Sequence, residues 1–594
     1  MPKKEYHKWS KDKLVHEIKT LLKRKKFGLV WEDKEEDLAT KCEDFLPVLS
    51  EVKKKKIQND KSDLQHIIIE GDNYHALSTL CYTHKKKIDV IYIDPPYNTG
   101  NKDFVYNDNY IDKEDRFRHS KWLSFISKRL KLAKYLLKDS GIIIVSIDDN
   151  EVAQLKLLMD DPSLFGENNF IALLPTIMNL KGNNDQFGFA GTHEYTLVYA
   201  KDKSLAKLNQ FAVDEEDVMK EWEEDDYGFY KKGANLKATG TNAPREKRPN
   251  LFYPIFFKSN GDFYTTENDK PLNKNDKTIL PITDNKEMSW RWSKKKLNKE
   301  KHNVIISENG EMSLYKKQRP QLGDLPTKKP KSLFYKPEYS SGNGTAQLKE
   351  LFGDKVFDNP KPLDLIKDLL YLTTDKDSVV LDFMAGSGTT AIATLLLNQE
   401  DKGTRKFILC TNNELNGIGT KLAKENPEIN QEEIGICQRV CYPRLERVMN
   451  GYTNPKKQKV DGLGGNLRYY KTDFVNQVRT DTDKRKLVNK STEMLCLTEN
   501  TFDKVIEEKD FYAIFESSER MTGIIYDEDA IDDFNEEIKK FNKPLSVYIF
   551  SYDHTYNKED FADIKNLVEV KPIPEVILNV YRKIYKNIRK SKTS

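Results

Sequence analysis

Two short stretches carry residue types that can do chemistry together. The first is Asp94-Pro95-Pro96-Tyr97-Asn98-Thr99-Gly100, which follows the apolar run Ile88-Asp89-Val90-Ile91-Tyr92-Ile93. A short β-branched run that stops at an acid, two prolines and an aromatic has the pattern of a buried strand ending at a ligand crevice. The exocyclic amine of adenine is a poor nucleophile because its lone pair is delocalised into the ring. A carboxylate at Asp94 accepts one N–H and the Pro95 carbonyl accepts the other. That pair orients the nitrogen and stabilises the positive charge that grows as it attacks a sulfonium methyl. Pro95 and Pro96 fix φ and bring no competing N–H, and Tyr97 is set to stack on a base taken out of the duplex. Asp-Pro-Pro alone reads as a turn with a solvated acid; with Tyr-Asn-x-Gly attached and a Gly loop elsewhere, the chemical reading prevails.

The second stretch is Val379-Val380-Leu381-Asp382-Phe383-Met384-Ala385-Gly386-Ser387-Gly388-Thr389-Thr390. It reads as a strand broken by a Gly-rich turn that opens a helix running through Leu397. Gly386 and Gly388 let the backbone approach a nucleotide-like cofactor closely. No Gly-Lys-Ser/Thr follows, so this is not a P-loop. The expected companion is an acid past the next strand, Phe407-Ile408-Leu409-Cys410, where Glu414 is placed to bind ribose hydroxyls; as an alternative, Glu414 is an ordinary loop glutamate. Together the two stretches point to an enzyme that methylates an amino group on a nucleic-acid base.

These stretches need elements to hold them. Between residues 61 and 204 strands alternate with helices: Ile67-Ile68-Ile69, Val90–Ile93, an amphipathic helix over 122–137, Ile142-Ile143-Ile144-Val145, a helix near 151–159 and a strand over 194–199. Alternation of this kind predicts an α/β fold with a parallel sheet covered on both faces. The rhythm breaks over 205–345, which is rich in Lys, Asn, Gly, Pro and aromatics and carries acidic runs at 214–217 and 223–226. It returns over 346–475, with a helix over 363–372 ahead of the Gly-loop strand and another between Ile436 and Tyr452. Gly462-Leu463-Gly464-Gly465 marks a turn and a boundary. Residues 1–60 read as a charged helical extension with apolar spacing at Leu14, Ile18, Leu21 and Leu22, closing on Lys53-Lys54-Lys55-Lys56. Residues 476–594 read as a small α/β module with strands at 513–515 and 547–550 and a helix near 574–585, and contain no catalytic constellation.

The 594 residues are enough for more than one domain, and a net charge of +4 means that any DNA-binding face is local. Cys42, Cys81, Cys410, Cys437, Cys441 and Cys496 are scattered, without a second Cys/His pair at metal spacing. They are expected to be free thiols in a reducing compartment, and no metal is expected. The Lys-rich start has no apolar core segment, and no window approaches a membrane span. A cytoplasmic protein is expected.

The chain resembles the circularly permuted (β) group of DNA adenine-N6 methyltransferases, and more narrowly the modification (Mod) subunits of Type III restriction-modification systems. The resemblance rests on Ile69-Glu70-Gly71-Asp72-Asn73, Asp94 to Gly100, Val145-Ser146-Ile147-Asp148-Asp149-Asn150-Glu151, Arg248-Pro249-Asn250-Leu251-Phe252-Tyr253-Pro254, Trp290-Arg291-Trp292 and Pro360-Lys361-Pro362. It implies a Rossmann-like methyltransferase sheet in permuted order, S-adenosylmethionine as donor, double-stranded DNA as substrate, a homodimer, and a separate helicase-nuclease restriction subunit as partner. It assigns Asp94, Pro95, Pro96 and Tyr97 to catalysis. Asp382, Phe383, Gly386 and Gly388 fall to the donor loop, Glu414 to ribose, Asp72 to the donor's adenine edge and Lys361 to the segment closing over its methionine end. Asp72 is equally a turn residue after a strand. The long insertion over 205–345 becomes the target-recognition region, where Arg245, Lys247, Arg248, Asn250 and Arg291 have the donor chemistry to meet bases or phosphates. Trp290 and Trp292 are expected to anchor a core. Cytosine-N4 or RNA methylation by the same machinery, or a vestigial DNA-specificity subunit, are the competing functions.

Overall fold

A computed structural model describes residues 9–12, 14–15, 29, 31–107, 109–182, 188–212, 222–240, 242–307, 312–319, 327–478, 480–508, 511–551, 555–573, 575 and 577–582. The chain forms two compact units, one of residues 1–209 with 331–594 and the other of residues 210–330. Ile18, Leu21 and Leu22, the acidic run at 214–217 and, of the helix expected near 574–585, residues 574, 576 and 583–585 lie outside the described residues; 577–582 is helical.

The main sheet of the larger unit is built from β1 (Phe45–Glu51), β2 (Gln65–Glu70), β3 (Ile88–Ile93), β4 (Leu137–Ile147), β5 (Phe170–Ile177), β6 (His193–Ala200), β7 (Val379–Asp382), β8 (Lys406–Thr411) and β9 (Asn466–Asn476). Their spatial order is β1-β9-β2-β8-β7-β3-β4-β6-β5. All strands from β9 to β4 run parallel, while β1 on one side and β6 with β5 on the other are antiparallel.

The β-branched runs explain the burial. Ile67, Ile69, Ile91, Ile93, Ile408 and Cys410 pack on one face against α2 (Asn73–Thr83), α3 (Arg118–Leu136) and α4 (Val152–Met159). Ile68, Phe407 and Leu409 pack on the other against α6 (Thr389–Asp401) and α7 (Tyr442–Asn450). Side chains alternate with a period of two along each strand, so strands apolar at every position are those covered twice. Each such buried side chain contributes about 1.5–3 kcal/mol. Between them α5 (Leu363–Thr373) leads into β7, as the sequence pattern predicts.

The order of connections fixes where a site can form. From β3 the chain passes through α3 to β4, its neighbour on one side; from β7 it passes through α6 to β8, its neighbour on the other. Right-handed crossovers leaving in opposite directions put their helices on opposite faces and open a crevice between the two strand ends. β3 and β7 pair directly, Val90 with Val380 and Ile91 with Leu381.

Three elements differ from the expectation. Residues 45–51, placed in a helical extension, form edge strand β1 after the short helix α1 (Asp37–Asp44). β5 was not expected: Phe170-Ile171-Ala172-Leu173-Leu174-Pro175 lacks clean alternation, and it pairs with β6 only at the sheet edge. The turn at Gly462–Gly465, read as a boundary, leads into β9, which pairs in parallel with β2. Beyond it α8 (Asp481–Glu499) starts at a capping box made by Thr480 and Asp483, and its Leu487, Leu495 and Leu497 enter the same core as β2 and β3. The C-terminal segment adds a five-stranded sheet including 512–516, 521–525 and 545–550. All six cysteines are buried and unpaired.

The unit of residues 210–330 is mostly antiparallel: a four-stranded sheet runs through 223–225, 228–235, 313–318 and 304–307. Its core gathers Leu236, Tyr253, Phe257, Phe263, Trp290 and Leu314, with Trp292 against it. No described helix is long and apolar enough to cross a membrane.

Candidate active site

Four neighbouring parallel strands, β2, β8, β7 and β3, end along one edge, and the sequence-selected residues stand there in a row. Asp72 follows β2, Glu414 follows β8, the Gly loop follows β7 and Asp94 follows β3. Thr411 pairs with Glu70, and Gly71 N donates to Thr411 O at 3.0 Å, which holds the first two ends level.

At the Gly loop Asp382 is almost fully buried. Its Oδ1 accepts from Met384 N at 3.0 Å and its Oδ2 from Thr390 Oγ1 at 2.5 Å. It therefore ties the strand end to the first turn of α6. Burial pushes its carboxyl up to about 7 against those two hydrogen bonds. Phe383 is buried in the sheet core rather than facing the crevice. Gly386 has φ +50°, and a Cβ there would stand 3.2 Å from the Phe357 ring; Gly388 has φ +80°, and a Cβ would stand 3.1 Å from Cys441 Sγ. Glycine is needed at both on backbone and on space. From α7, buried Arg444 Nη1 donates to Ser387 O, Ser387 Oγ and Thr389 Oγ1 at 2.9–3.1 Å, a brace that no sequence motif announced.

Asp72 is the N-cap of α2, its Oδ1 accepting from Tyr74 N at 2.6 Å. Buried Arg129 reaches the same oxygen at 3.4 Å and grips Glu36 with two bonds of 2.7 and 3.1 Å. Burial raises the Asp72 carboxyl, and Arg129 opposes the rise. Glu414 is exposed.

The catalytic loop is held by charges from distant parts of the chain. Lys361 Nζ lies 2.8 Å from Glu194 Oε2 and 3.2 Å from Asp94 Oδ1. The Tyr97 hydroxyl accepts from Lys361 Nζ at 2.5 Å and donates to Glu194 Oε2 at 3.0 Å. Lys361 thus sits among the catalytic residues. Its contact with Asp94 is an ion pair, and it meets the buried oxygen of that carboxylate. Burial raises the Asp94 carboxyl; Lys361 pulls it down and Glu194 pushes it up. Trp122 Nε1 donates to the Pro96 carbonyl at 2.7 Å, and among the described residues no donor meets the Pro95 carbonyl. Glu194 and Trp122 entered the sequence pattern only as members of a strand and a helix.

Arg245, Lys247, Arg248, Asn250 and Arg291 all lie in the 210–330 unit and are exposed. Arg245 pairs with Glu287 at 2.8 Å and lies over Phe252. Arg291 Nε donates to the Asn235 carbonyl at 3.0 Å. Trp290, flanking it, is buried, its Nε1 donating to Tyr253 O at 2.8 Å.

The strand ends carry the carboxylates of Asp72 and Glu414 and two glycines that admit the backbone, and beside them stands the part-exposed carboxylate of Asp94. Such a set fits a ligand bearing ribose hydroxyls and a cation next to an amine substrate.

A family model described as DNA methylase matches residues 88–432, which contain both loops. The chain is 47% identical over 393 residues to the EcoPI Mod subunit of a Type III restriction-modification enzyme of Escherichia phage P1, a match covering 62% of this chain and 60% of that protein. It is 37% identical to the Type II methyltransferase M.KpnI of Klebsiella pneumoniae, over 58% of this chain and 79% of that one. It is 34% identical to the StyLTI Mod subunit of a Type III enzyme of Salmonella typhimurium, over 59% and 53%. The matched stretch therefore spans 60% of the first relative's length and 53% of the last.

Proposed function

The chain belongs to the DNA methylase family, and from that premise we propose that it moves a methyl group from S-adenosylmethionine to N6 of adenine in double-stranded DNA, as the modification subunit of a Type III-like restriction-modification system. The observation that carries this reading is the part-exposed Asp94 carboxylate, ion-paired with Lys361, at the end of the strand paired to the one bearing the Gly loop.

The Asp94 carboxylate accepts one N–H of the flipped adenine amine, and the Pro95 carbonyl accepts the other. Tyr97, its hydroxyl fixed by Glu194 and Lys361, presents its ring to the base. The bound donor supplies an electrophilic methyl on a sulfonium. As the N6–methyl bond forms and the methyl–sulfur bond breaks, its electron pair staying on a neutral thioether, Asp94 steadies the positive charge on nitrogen and then takes one of its protons, which passes to water. Lys361, held by Glu194, lies beside Asp94 and favours its ionised form. Gly386 and Gly388 would bring backbone N–H groups to the donor, with Asp72 and Glu414 at its adenosine end, and the Arg and Lys residues of the 210–330 unit would meet DNA. Adenine is favoured over cytosine by Asp, rather than Ser, before Pro-Pro-Tyr. A homodimer working in the cytoplasm with a separate helicase-nuclease subunit completes the proposal, in line with the Mod relatives.

Nucleoside analysis of DNA after incubation with labelled donor tests it. N6-methyladenine is expected; N4-methylcytosine as the sole product would sink it. Long-read sequencing of the host genome with and without the gene would give base and recognition site together.

A further inference from the structure

Directly behind the catalytic loop is a polar cluster that methyl transfer leaves unused. Asn98, next after Tyr97, is fully buried and has φ +56°. A residue with a Cβ holds that conformation at a cost, which fastening of its side chain offsets. Asn98 Nδ2 donates to Glu151 Oε1 at 2.6 Å, and Glu151, just before α4, is itself fully buried. His119 Nδ1 lies 2.6 Å from the same oxygen. Arg118 Nε donates to His119 Nε2 at 3.2 Å, which makes Nε2 the acceptor and leaves the ring proton on Nδ1, pointing at Glu151. Gln154 Nε2 reaches Nδ1 only at 3.4 Å.

Glu151 Oε1 therefore takes two hydrogen bonds from neutral groups, while Glu151 Oε2 and Asn98 Oδ1 are buried acceptors with no donor. An ionised Glu151 would leave both oxygens bare, each bearing the full desolvation penalty of an unmade hydrogen bond. A single proton on Oε2 gives the pair the donor it lacks. We propose that Glu151 is a positioning residue that works as a neutral carboxylic acid, donating its Oε2 proton to Asn98 Oδ1 and thereby locking the loop that presents Asp94 and Tyr97.

The surroundings agree with a neutral acid. Burial pushes Glu151 up to about 8, with Arg118 on α3 pulling down and Asp148 at the end of β4 pushing up. His119 is held below the ordinary imidazole range by burial and by Arg118, so it does not supply a compensating charge. The loop is then locked below that pH and loosens as pH rises through it.

The role rests on the methyl-transfer reading, but the proton does not, and the test separates them. In wild type minus Glu151→Gln infrared difference spectra, the carbonyl band of a protonated carboxyl is expected at about pH 6 and should titrate away near about pH 8. Absence of the band at about pH 6 overturns the proposal, whatever the enzyme does. Glu151→Gln, whose amide supplies the same donor, is expected to keep turnover within about threefold and to lose the alkaline fall in kcat. Glu151→Ala is expected to lose about tenfold or more in kcat with KM for S-adenosylmethionine little changed. A Gln variant losing tenfold or more likewise overturns the proposal. The spectra and the Gln variant suffice if the Ala variant fails to fold. A wild type that methylates no DNA at any pH refutes the enzyme reading and leaves the spectra to decide the proton.

Discussion

Within the Gly loop, Asp382 is fastened to Thr390 eight positions along the chain, and Met384 lies nearer still. In the catalytic loop, Tyr97 is fastened to Glu194 and Lys361, 97 and 264 positions away, and the Pro96 carbonyl to Trp122, 26 away. The two loops stand at the ends of paired strands, yet the acid of one is fastened within its own stretch, with Arg444 bracing it from α7, while the other is fastened wholly by remote parts of the chain. A locally built loop can bind a common cofactor on any scaffold. A loop built from remote charges can be tuned to one substrate.

Perturbing each loop sharpens that contrast. The largest effect is expected at Asp94→Asn, which keeps the shape and removes the carboxylate: methyl incorporation should fall by about a thousandfold while S-adenosylmethionine binding, followed by calorimetry, is retained. Unchanged turnover would refute Asp94 as the amine acceptor. Gly388→Ala strains φ +80° and presses on Cys441 Sγ. Donor affinity should weaken about tenfold with kcat at saturating donor nearly intact; an equal loss in kcat would erase the division of labour between the loops. Lys361→Met takes the cation from Asp94, whose carboxyl then rises. The acid limb of the kcat–pH profile should move to higher pH, with about a threefold loss near neutrality. An unmoved limb would mean that Lys361 does not set Asp94. The last prediction is read in stability rather than turnover. Asp382 has its carboxyl raised from 3.8 to about 7 in the folded chain. It therefore contributes stability that is complete below 3.8 and declines as pH rises, to be lost by about 7. Asp382→Asn should flatten that part of a urea-denaturation series across pH.

The same contrast decides what the sequence makes legible. β2, β3, β4, β7 and β8 are β-branched runs covered on both faces, so composition alone exposes them. The Gly loop is legible because two of its constraints, glycines at positive φ and an acid reaching its own helix, lie within nine residues, whereas its Arg444 brace does not. β5 and β9 escaped because an edge strand and a strand rich in Tyr, Lys and Asp lack the clean apolar signal. Glu194, Trp122, Glu151 and Arg444 are visible as residues but silent as site members, since each acts only after the sheet brings together positions far apart. Lys361 is the instructive case: its motif places it beside the donor, while folding sets its ammonium between Asp94 and Glu194.

That β3 lies against β7 has a consequence for how the protein is made. Translation at about 5–20 residues per second leaves roughly fifteen seconds to a minute between the emergence of one strand and of the other. Through that interval the nascent polypeptide carries an unmatched apolar edge, open to wrong neighbours, and it has no means of marking any base. A growing cell must therefore shelter half-built copies before it owns a single working one.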